Sequence, residues 1–170
     1  MNNTPPVTKN LIIINILCFF AAIVAEKYGI NLNDVLGLHY FESEKFRLYQ
    51  LFTYMFMHSG FEHIFFNLFA VWMFGRILET VWGSQRFLLY YVLCGIGAGL
   101  VQEATQYFEF LPVMKDMAQF LTFPSDASIP INGTTRPAEQ WVALCQRIIS
   151  VPTVGASGAV YAILMAFGML

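Results

Sequence analysis

The sequence predicts an all-α protein that crosses a lipid bilayer several times. Of the 170 residues, 57% are hydrophobic and only 12% are charged, whereas soluble globular chains are closer to about 45–50% apolar and about 25% charged. The apolar residues are gathered into long segments that polar stretches separate. A helix of about 20 apolar residues is long enough to cross the ~30 Å hydrocarbon core. We therefore expect a polytopic helical membrane protein.

Four segments are predicted to cross the membrane. In chain order they are residues 9–25, 61–78, 87–101 and 151–170. The second segment is unusually polar for a span, because it carries charged residues as well as a histidine and an asparagine. The third contains Gly95, Gly97 and Gly99, small residues that let neighbouring helices approach closely. The fourth carries no charged residue.

Two long connections are predicted to lie outside the membrane on the same side. Residues 26–60 mix charges with many aromatic side chains, which favours a structured loop at the membrane interface. Residues 102–150 contain several prolines, but the segment after Pro137 is predicted to form a short amphipathic helix. One face of that helix carries Trp141, Cys145 and Ile148. Residues 1–170 are expected to form a single transmembrane domain.

The distribution of charge predicts the orientation of the chain. Arginines flank the short turn between the second and third spans, and the positive-inside tendency places that turn in the cytoplasm. The N-terminus then also lies in the cytoplasm, and both long loops lie outside. A continuous fourth helix places Ser157 six residues below Val151, about 9 Å along the helix axis. His63 and Asn67 are expected at the same depth.

Composition argues against nucleic acids and spacing argues against a metal site, and no cofactor is expected. The formal net charge is −2, and no run of basic residues offers a surface for nucleic acid. His58 lies five residues before His63, a spacing that turns the two rings apart and disfavours a metal site. The lipid bilayer is therefore the partner that the composition itself requires.

The polar residues inside two of the spans are the candidates for chemistry. His63 and Asn67 are spaced so that both point the same way, one helical turn apart. Such donors stabilise the oxyanion that forms when a serine attacks a carbonyl, each by about 3 kcal/mol. Ser157 stands between Gly155 and Gly158, which admit another backbone or a substrate. Each feature also has a plainer interpretation: a His–Asn pair that ties helices together, and a small-residue face for helix packing.

Two motifs resemble those of one known family, the rhomboid intramembrane serine proteases. The segment from His58 to Asn67, His-Ser-Gly-Phe-Glu-His-Ile-Phe-Phe-Asn, resembles the signature of the family's second helix. The segment from Gly155 to Tyr161, Gly-Ala-Ser-Gly-Ala-Val-Tyr, resembles the family's active-serine motif. The order and the separation of the motifs also fit. The resemblance covers most of the chain from about residue 46 onward.

The resemblance implies a role for each matching residue. Ser157 is implied to be the nucleophile, and His63 and Asn67 are implied to line the oxyanion site together with the backbone N–H of Ser157. The other matching positions are implied to shape the site: Gly155, Gly158, His58 and Tyr161. The glycines would allow close approach around the serine, the histidine would organise the first loop, and the tyrosine would pack against the imidazole of the catalytic base.

The resemblance also implies an activity and a location. The activity is that of a serine endopeptidase that hydrolyses peptide bonds in or near transmembrane segments of other membrane proteins, which are its substrates. The location is the bacterial inner membrane, with the active site toward the outer face. One alternative is a non-catalytic relative that binds or escorts membrane proteins. Another is a piece of a transporter or channel that uses the polar second span as a pathway.

The sequence departs from the family pattern in two places. Tyr49-Gln50 stand where many relatives carry Trp-Arg, so the anchoring of the first loop is expected to differ. The family's general base is a histidine on a sixth span, whereas this sequence ends at Leu170. His39, in the first loop, is not expected to replace that base. We therefore expect an N-terminal portion of a protease, lacking the last two of six spans and inactive alone, because a serine without a base is a poor nucleophile.

Overall fold

Helices account for most of the structure, a computed structural model that describes residues 4–115, 124, 127–131 and 133–170. In chain order the helices are α1 (Pro6–Lys27), α2 (Leu32–Leu36), α3 (Gln50–Thr53), α4 (Phe61–Ala70), α5 (Arg76–Trp82), α6 (Ser84–Lys115), α7 (Ala138–Ser150) and α8 (Ser157–Gly168). Strands β1 (Ser128–Ile131) and β2 (Thr134–Pro137) form an antiparallel hairpin. A single 3₁₀ turn, Tyr54–Phe56, follows α3, and a wider π-helical turn, Val71–Gly75, joins α4 to α5.

Three helical stretches are long and apolar enough to cross a membrane. They are α1, the continuous stretch Phe61–Trp82 that α4 and α5 form, and Ser84–Phe108 within α6. These stretches coincide with the first three predicted spans, which confirms the helical membrane architecture. The fourth apolar helix, α8, has only 12 residues.

The fourth predicted span does not begin where the sequence analysis places it. Residues 151–156 are not helical. Pro152 disfavours a helical conformation at the residue before it, and the backbone of Thr153 pairs with Leu38 of the first loop through hydrogen bonds of 2.9 and 2.7 Å. Gly155 then adopts a φ of +121°, outside the helical region. Ser157 is therefore the first residue of α8, and the prediction that it lies well inside a longer helix is wrong.

Helix α6 continues beyond the predicted end of the third span. The second loop is predicted to start at Gln102, but the helix runs to Lys115. Glu103, just after the predicted boundary, is buried, and its carboxylate accepts a 2.9 Å hydrogen bond from the N–H of Phe41. Because this hydrogen bond satisfies the carboxylate, an acidic residue can stay buried here within a continuous helix. The predicted boundary is therefore wrong, and part of the expected loop is helix.

The amphipathic helix predicted in the second loop is confirmed as α7. Trp141 and Cys145 are buried, and Ile148 packs against the cluster that they form with Ile131 of the preceding hairpin. The indole N–H of Trp141 donates a 3.0 Å hydrogen bond to the carbonyl oxygen of Ile129. The hairpin, which the sequence analysis did not predict, therefore packs on the apolar face of α7.

Three glycines of α6 were predicted to allow close helix packing, and two of them, Gly95 and Gly99, do so. A Cβ at Gly95 would overlap the side chain of Met55, and a Cβ at Gly99 would lie 3.2 Å from Leu38 Cδ2. A Cβ at Gly97 would have no neighbour within 4 Å. Gly95 and Gly99 therefore allow α6 to pack closely against the first loop, whereas Gly97 makes no close contact.

Candidate active site

The polar residues of α4 and α8 line one cleft. The cleft has a volume of about 480 Å³ and lies between these two helices. Its lining consists of Glu62, His63, Phe66, Asn67, Ala70, Ser157, Val160, Tyr161 and Leu164. The structure thus brings together the serine, the histidine, the asparagine and the tyrosine that the two sequence motifs single out.

Two contacts fix the ring of His63 beside the segment that carries the serine. Ser59 Oγ lies 3.1 Å from His63 Nδ1. On its other side the ring packs against Gly155, where a Cβ would lie 2.5 Å from His63 Nε2 and 2.6 Å from Cε1. Glycine therefore suits position 155 both for space and for its φ of +121°. The contact holds the imidazole next to the residue two positions before Ser157.

Asn67 lies one helical turn after His63 on α4 and is largely buried. Its Nδ2 donates a 2.9 Å hydrogen bond to the backbone carbonyl oxygen of His63. A carboxamide has two N–H donors, so this bond leaves the second one for the cleft. The backbone of His63 therefore holds Asn67 in position, and both side chains line the cleft.

Ser157 is half-buried at the N-terminal end of α8. The first hydrogen bond of the helix runs from the N–H of Val160 to the carbonyl oxygen of Ala156, at 2.9 Å. The N–H groups of a first turn have no acceptor within their own helix, and they carry a partial positive charge. Ser157 therefore places its hydroxyl and its own N–H where a developing negative charge is stabilised.

The first loop and α6 hold the segment around the serine. The N–H of Gly155 donates to the carbonyl oxygen of Tyr54 at 2.9 Å, and the Tyr54 hydroxyl donates to the carbonyl oxygen of Gly95 at 2.6 Å. A Cβ at Gly158 would overlap the methyl group of Ala98. The two motif glycines thus permit close approach on both sides of the serine, one toward α4 and the other toward α6.

His58 is placed differently from the sequence prediction. Its ring packs edge-on against that of His63, with centroids 5.1 Å apart, so the expectation that the two rings face apart is wrong. Helical spacing does not apply here, because α4 begins only at Phe61 and His58 belongs to the preceding turn. Burial and the neighbouring His63 lower the pKa of His58 from 6.5 to about 4. Within the described residues, no group of three His, Cys, Asp or Glu side chains is placed to hold a metal ion.

His39 is bound within the first loop. Its Nε2 lies 2.8 Å from the carbonyl oxygen of Asp34 and 3.4 Å from Asp34 Oδ1. The ring is fully buried, and it is not part of the lining of the cleft. This imidazole therefore orders the loop that packs against the serine segment.

Gln50 organises the first loop, a role that the sequence analysis misses. The side chain is buried and makes four hydrogen bonds across the loop. Oε1 accepts from the N–H groups of His39 and Arg47 at 3.3 and 3.0 Å, and Nε2 donates to the carbonyl oxygens of Val35 and Lys45 at 3.2 and 3.1 Å. The one sequence feature that points to Gln50 is that Tyr49-Gln50 replace the Trp-Arg of many relatives. It indicates that the first loop is held differently, but it does not identify the groups to which Gln50 binds.

Comparison with known proteins connects this cleft to one family. Residues 45–170 match the family profile described as the Rhomboid domain. Rhomboid protease GluP of Bacillus subtilis (strain 168) is 33% identical over 100 residues, which are 56% of this chain and 19% of GluP. Rhomboid protease AarA of Providencia stuartii is 30% identical over 100 residues, which are 58% of this chain and 35% of AarA. Putative rhomboid protease YdcA of B. subtilis is 32% identical over 75 residues, 44% of this chain and 38% of YdcA.

The matched region contains every motif residue that lines the cleft. The family profile extends over α4, α6 and α8, and so over both sides of the cleft. The aligned stretches cover less than two fifths of the length of each of the three relatives.

Proposed function

The chain belongs to the rhomboid family and is a multi-pass integral membrane protein, and we propose that its cleft is part of the active site of an intramembrane serine endopeptidase. The observation that carries the proposal is the convergence of Ser157, His63 and Asn67 on one cleft between α4 and α8. The relatives that the chain resembles are named as proteases. The proposed substrates are transmembrane segments of other membrane proteins. The apolar side chains of α4 and α8 that line the cleft suit the entry of such segments.

Ser157 Oγ is the proposed nucleophile. It attacks the carbonyl carbon of the scissile peptide bond as a general base removes the hydroxyl proton, and the carbonyl oxygen becomes an oxyanion. Of the three histidines in the sequence, His39 and His58 do not line the cleft, and His63 is already paired with Ser59. The proposed base is therefore a histidine outside residues 1–170, as the family resemblance implies.

Three donors are proposed for the oxyanion. If the Ser59 hydroxyl donates to His63 Nδ1, the neutral imidazole carries its proton on Nε2, which faces the serine segment. The second N–H of the Asn67 carboxamide and the backbone N–H of Ser157 complete the set. Each such donor typically lowers the barrier by about 3 kcal/mol. The geometry of a helix N-terminus adds to the same stabilisation.

The remaining motif residues are proposed to shape the site. Gly155 admits the His63 ring, and Gly158 admits α6. His58 supports His63 from behind through the edge contact of the two rings. Tyr161, one turn after Ser157, is 69% exposed in the cleft, which leaves its ring open to pack against the imidazole of the base.

An orientation follows from the charges near the membrane. The arginines at 76 and 86 flank the turn between α5 and α6, which supports a cytoplasmic position for that turn and for the N-terminus. The cleft lies at the opposite end of α4, where the chain enters from the first loop. We therefore propose that the site lies toward the outer face of the membrane, and the bacterial origin of the relatives supports a bacterial cell membrane.

Cleavage of a reporter substrate tests this proposal. The full-length product of the gene, reconstituted in proteoliposomes, should cut a membrane protein with helix-breaking residues in its transmembrane segment. Ser157→Ala should abolish cleavage, whereas His63→Ala and Asn67→Ala should each lower kcat by roughly 100-fold, because each removes one oxyanion donor. Co-purification of the reporter without cleavage would favour the non-catalytic alternative.

A further inference from the structure

An apolar groove runs along α1 and α4 on the lipid-facing side of the bundle. Its volume is about 800 Å³, and its lining side chains are all aliphatic or aromatic. The lining extends from Ile12 to Ile23 on α1, and from Phe61 to Trp72 on α4 and the turn that follows it. At about 1.5 Å per residue, each side is roughly 16 Å long, about half of the ~30 Å hydrocarbon core. The groove is therefore about as long as one lipid leaflet is thick.

Aromatic rings form the α4 wall of this groove. The rings of Phe61 and Phe65 stack with their centroids 6.2 Å apart, and those of Phe65 and Phe69 stack at 6.3 Å. Trp72 continues the row, 6.3 Å from Phe69. All four side chains are exposed. An alkyl chain that lies along such a row makes many dispersion contacts, each small but together substantial. The shape of the groove therefore suits one long, unbranched chain.

Two cationic side chains lie at one end of the groove, the end that the proposed orientation places toward the cytoplasm. Helix α1 and the turn before α5 are in contact here, because a Cβ at Gly75 would lie 3.6 Å from Thr8 Oγ1. Lys9 and Arg76 are the next residues along the two segments, and both side chains are exposed. Because long cationic side chains extend toward the membrane surface, both can reach the headgroup layer of the same leaflet.

Each cation is joined to the groove by a neighbouring residue. Lys9 and Ile12 line a common surface pocket, and Ile12 also lines the groove. The guanidinium group of Arg76 lies over the ring of Trp72, 4.8 Å from its centroid, and Trp72 lines the groove. Stacking uses the face of the guanidinium and leaves the N–H groups at its edge available to an anion. A phosphate that binds both cations therefore lies at the mouth of the groove.

Within the described residues, the two cations have no ion-pair partner. The acid at this end of α1 and α5 is Glu79, which is buried. Its carboxylate already accepts hydrogen bonds from the N–H groups of Val7 and Thr8, at 2.9 and 2.7 Å. The exposed charges of Lys9 and Arg76 therefore remain available to an anion from outside the chain.

We propose that this groove binds an anionic phospholipid of the cytoplasmic leaflet. The lipid phosphate lies between Lys9 and Arg76, and one acyl chain follows the aromatic wall toward the outer end of the groove. Basic side chains between transmembrane helices at the cytoplasmic face suit anionic headgroups. A transmembrane helix would also fill an apolar groove, but it gives no reason for two cations at one end. A zwitterionic lipid would bring its own cation toward them.

Lipid binding can be measured without a substrate, by native mass spectrometry of the full-length product of the gene in detergent. Phosphatidylglycerol should bind more tightly than phosphatidylcholine with the same acyl chains. Lys9→Gln and Arg76→Gln should each weaken the binding of phosphatidylglycerol about fivefold, and the double variant roughly 30-fold. Arg86→Gln, at an exposed cation after the same cytoplasmic turn, is the matched control and should bind like the unsubstituted protein. Equal binding of the two lipids, or an equal loss in Arg86→Gln, would overturn the proposal.

The role of the groove is tested by filling it. Ile16→Trp puts a bulky ring into the groove, whereas Leu17→Trp changes a neighbouring residue that is exposed to lipid outside it. Ile16→Trp should weaken the binding of phosphatidylglycerol about tenfold, and Leu17→Trp should not.

Thermal unfolding gives a second measurement of the same site. Phosphatidylglycerol should raise the Tm of the unsubstituted protein and of Leu17→Trp, but not that of Ile16→Trp. An excess of inorganic phosphate should neither raise the Tm nor displace the lipid, since it has no acyl chain. If Ile16→Trp binds the lipid as Leu17→Trp does, the groove is not the binding site. If the unsubstituted protein retains no phosphatidylglycerol, the proposal fails, and a transmembrane segment is the remaining occupant for the groove.

Discussion

The imidazole of His63 lies directly against the backbone of Gly155, so closely that a Cβ at this glycine would lie 2.5 Å from His63 Nε2. The contact joins α4 to the segment that ends at Ser157. It explains why the two sequence motifs belong together: the first supplies the ring, and the second supplies a residue without a side chain to receive it.

Gly155→Ala should therefore destabilise the protein and disrupt the cleft. The methyl group would overlap the ring, and alanine would also be strained at a φ of +121°. Each effect typically costs about 1–3 kcal/mol. Thermal unfolding in detergent should show a clear drop in Tm. Gly97→Ala is the matched control, because a Cβ there has no neighbour within 4 Å. It should be neutral or slightly stabilising, since alanine favours helix over glycine; an equal drop in both variants would count against the contact.

Gln50→Leu should loosen the first loop. The substitution keeps the volume of the side chain but removes its four hydrogen bonds, and it leaves buried N–H and carbonyl groups without partners. We expect a loss of stability of about 2 kcal/mol or more and faster proteolysis within residues 28–60. Tyr49→Phe removes only one hydrogen bond of a half-exposed hydroxyl and should change little. Similar proteolysis rates for the two variants would contradict the role of Gln50.

His58 should make the stability of the protein depend on pH in the acidic range. Its pKa is about 4 in the folded protein, against an ordinary value of 6.5. Well above pH 6.5 neither state binds the proton, so the stability is complete there. As the pH falls toward 4, the unfolded chain takes up a proton that the folded chain does not, and the free energy of unfolding falls by up to about 3 kcal/mol.

Chemical unfolding at pH 7.0 and pH 4.5 measures this effect. The difference between the two pH values should be smaller in His58→Gln than in the unsubstituted protein, because the variant lacks the group that titrates. An identical difference in both proteins would show that His58 does not contribute.

The local features of the site could be predicted from the sequence, and the non-local ones could not. The spacing of His63 and Asn67 places both on one face of α4, because helical periodicity is a local property. The start of α8 is different: it depends on the pairing of Thr153 with Leu38, residues far apart in the chain. The apolar character of residues 151–170 favours a helix throughout. Pro152 is a local signal against helix at Val151, but it does not reveal that Thr153 pairs with the first loop.

The same distinction explains the other errors. The sequence does not reveal that the carboxylate of Glu103 on α6 accepts a hydrogen bond from the N–H of Phe41. Nor does it reveal that His58, from a turn outside any helix, contacts His63. The partners of Gln50 are likewise set by how the loop folds and not by the residues beside it.

Glu79 should matter for stability at the other end of the bundle. Its carboxylate accepts hydrogen bonds from the N–H groups of Val7 and Thr8 at 2.9 and 2.7 Å, and from the hydroxyls of Thr8 and Ser84. It thus satisfies donors in the first turn of α1 that have no acceptor within the helix. Glu79→Gln should lower stability by about 1–3 kcal/mol in thermal unfolding. Glu44→Gln, at an exposed side chain in the first loop, is the control, and an equal effect there would argue against the cap.

Covalent labelling of Ser157 is a direct test of its role as the nucleophile. The full-length product of the gene, in native membranes, is treated with a fluorophosphonate, and the modified peptide is identified by mass spectrometry. We expect the label on Ser157. Ser157→Ala should abolish labelling, and Ser59→Ala or His63→Ala should slow it without moving it to another residue. Residues 1–170 alone should not be labelled. A label on a different serine, or labelling that survives Ser157→Ala, would rule out Ser157 as the nucleophile.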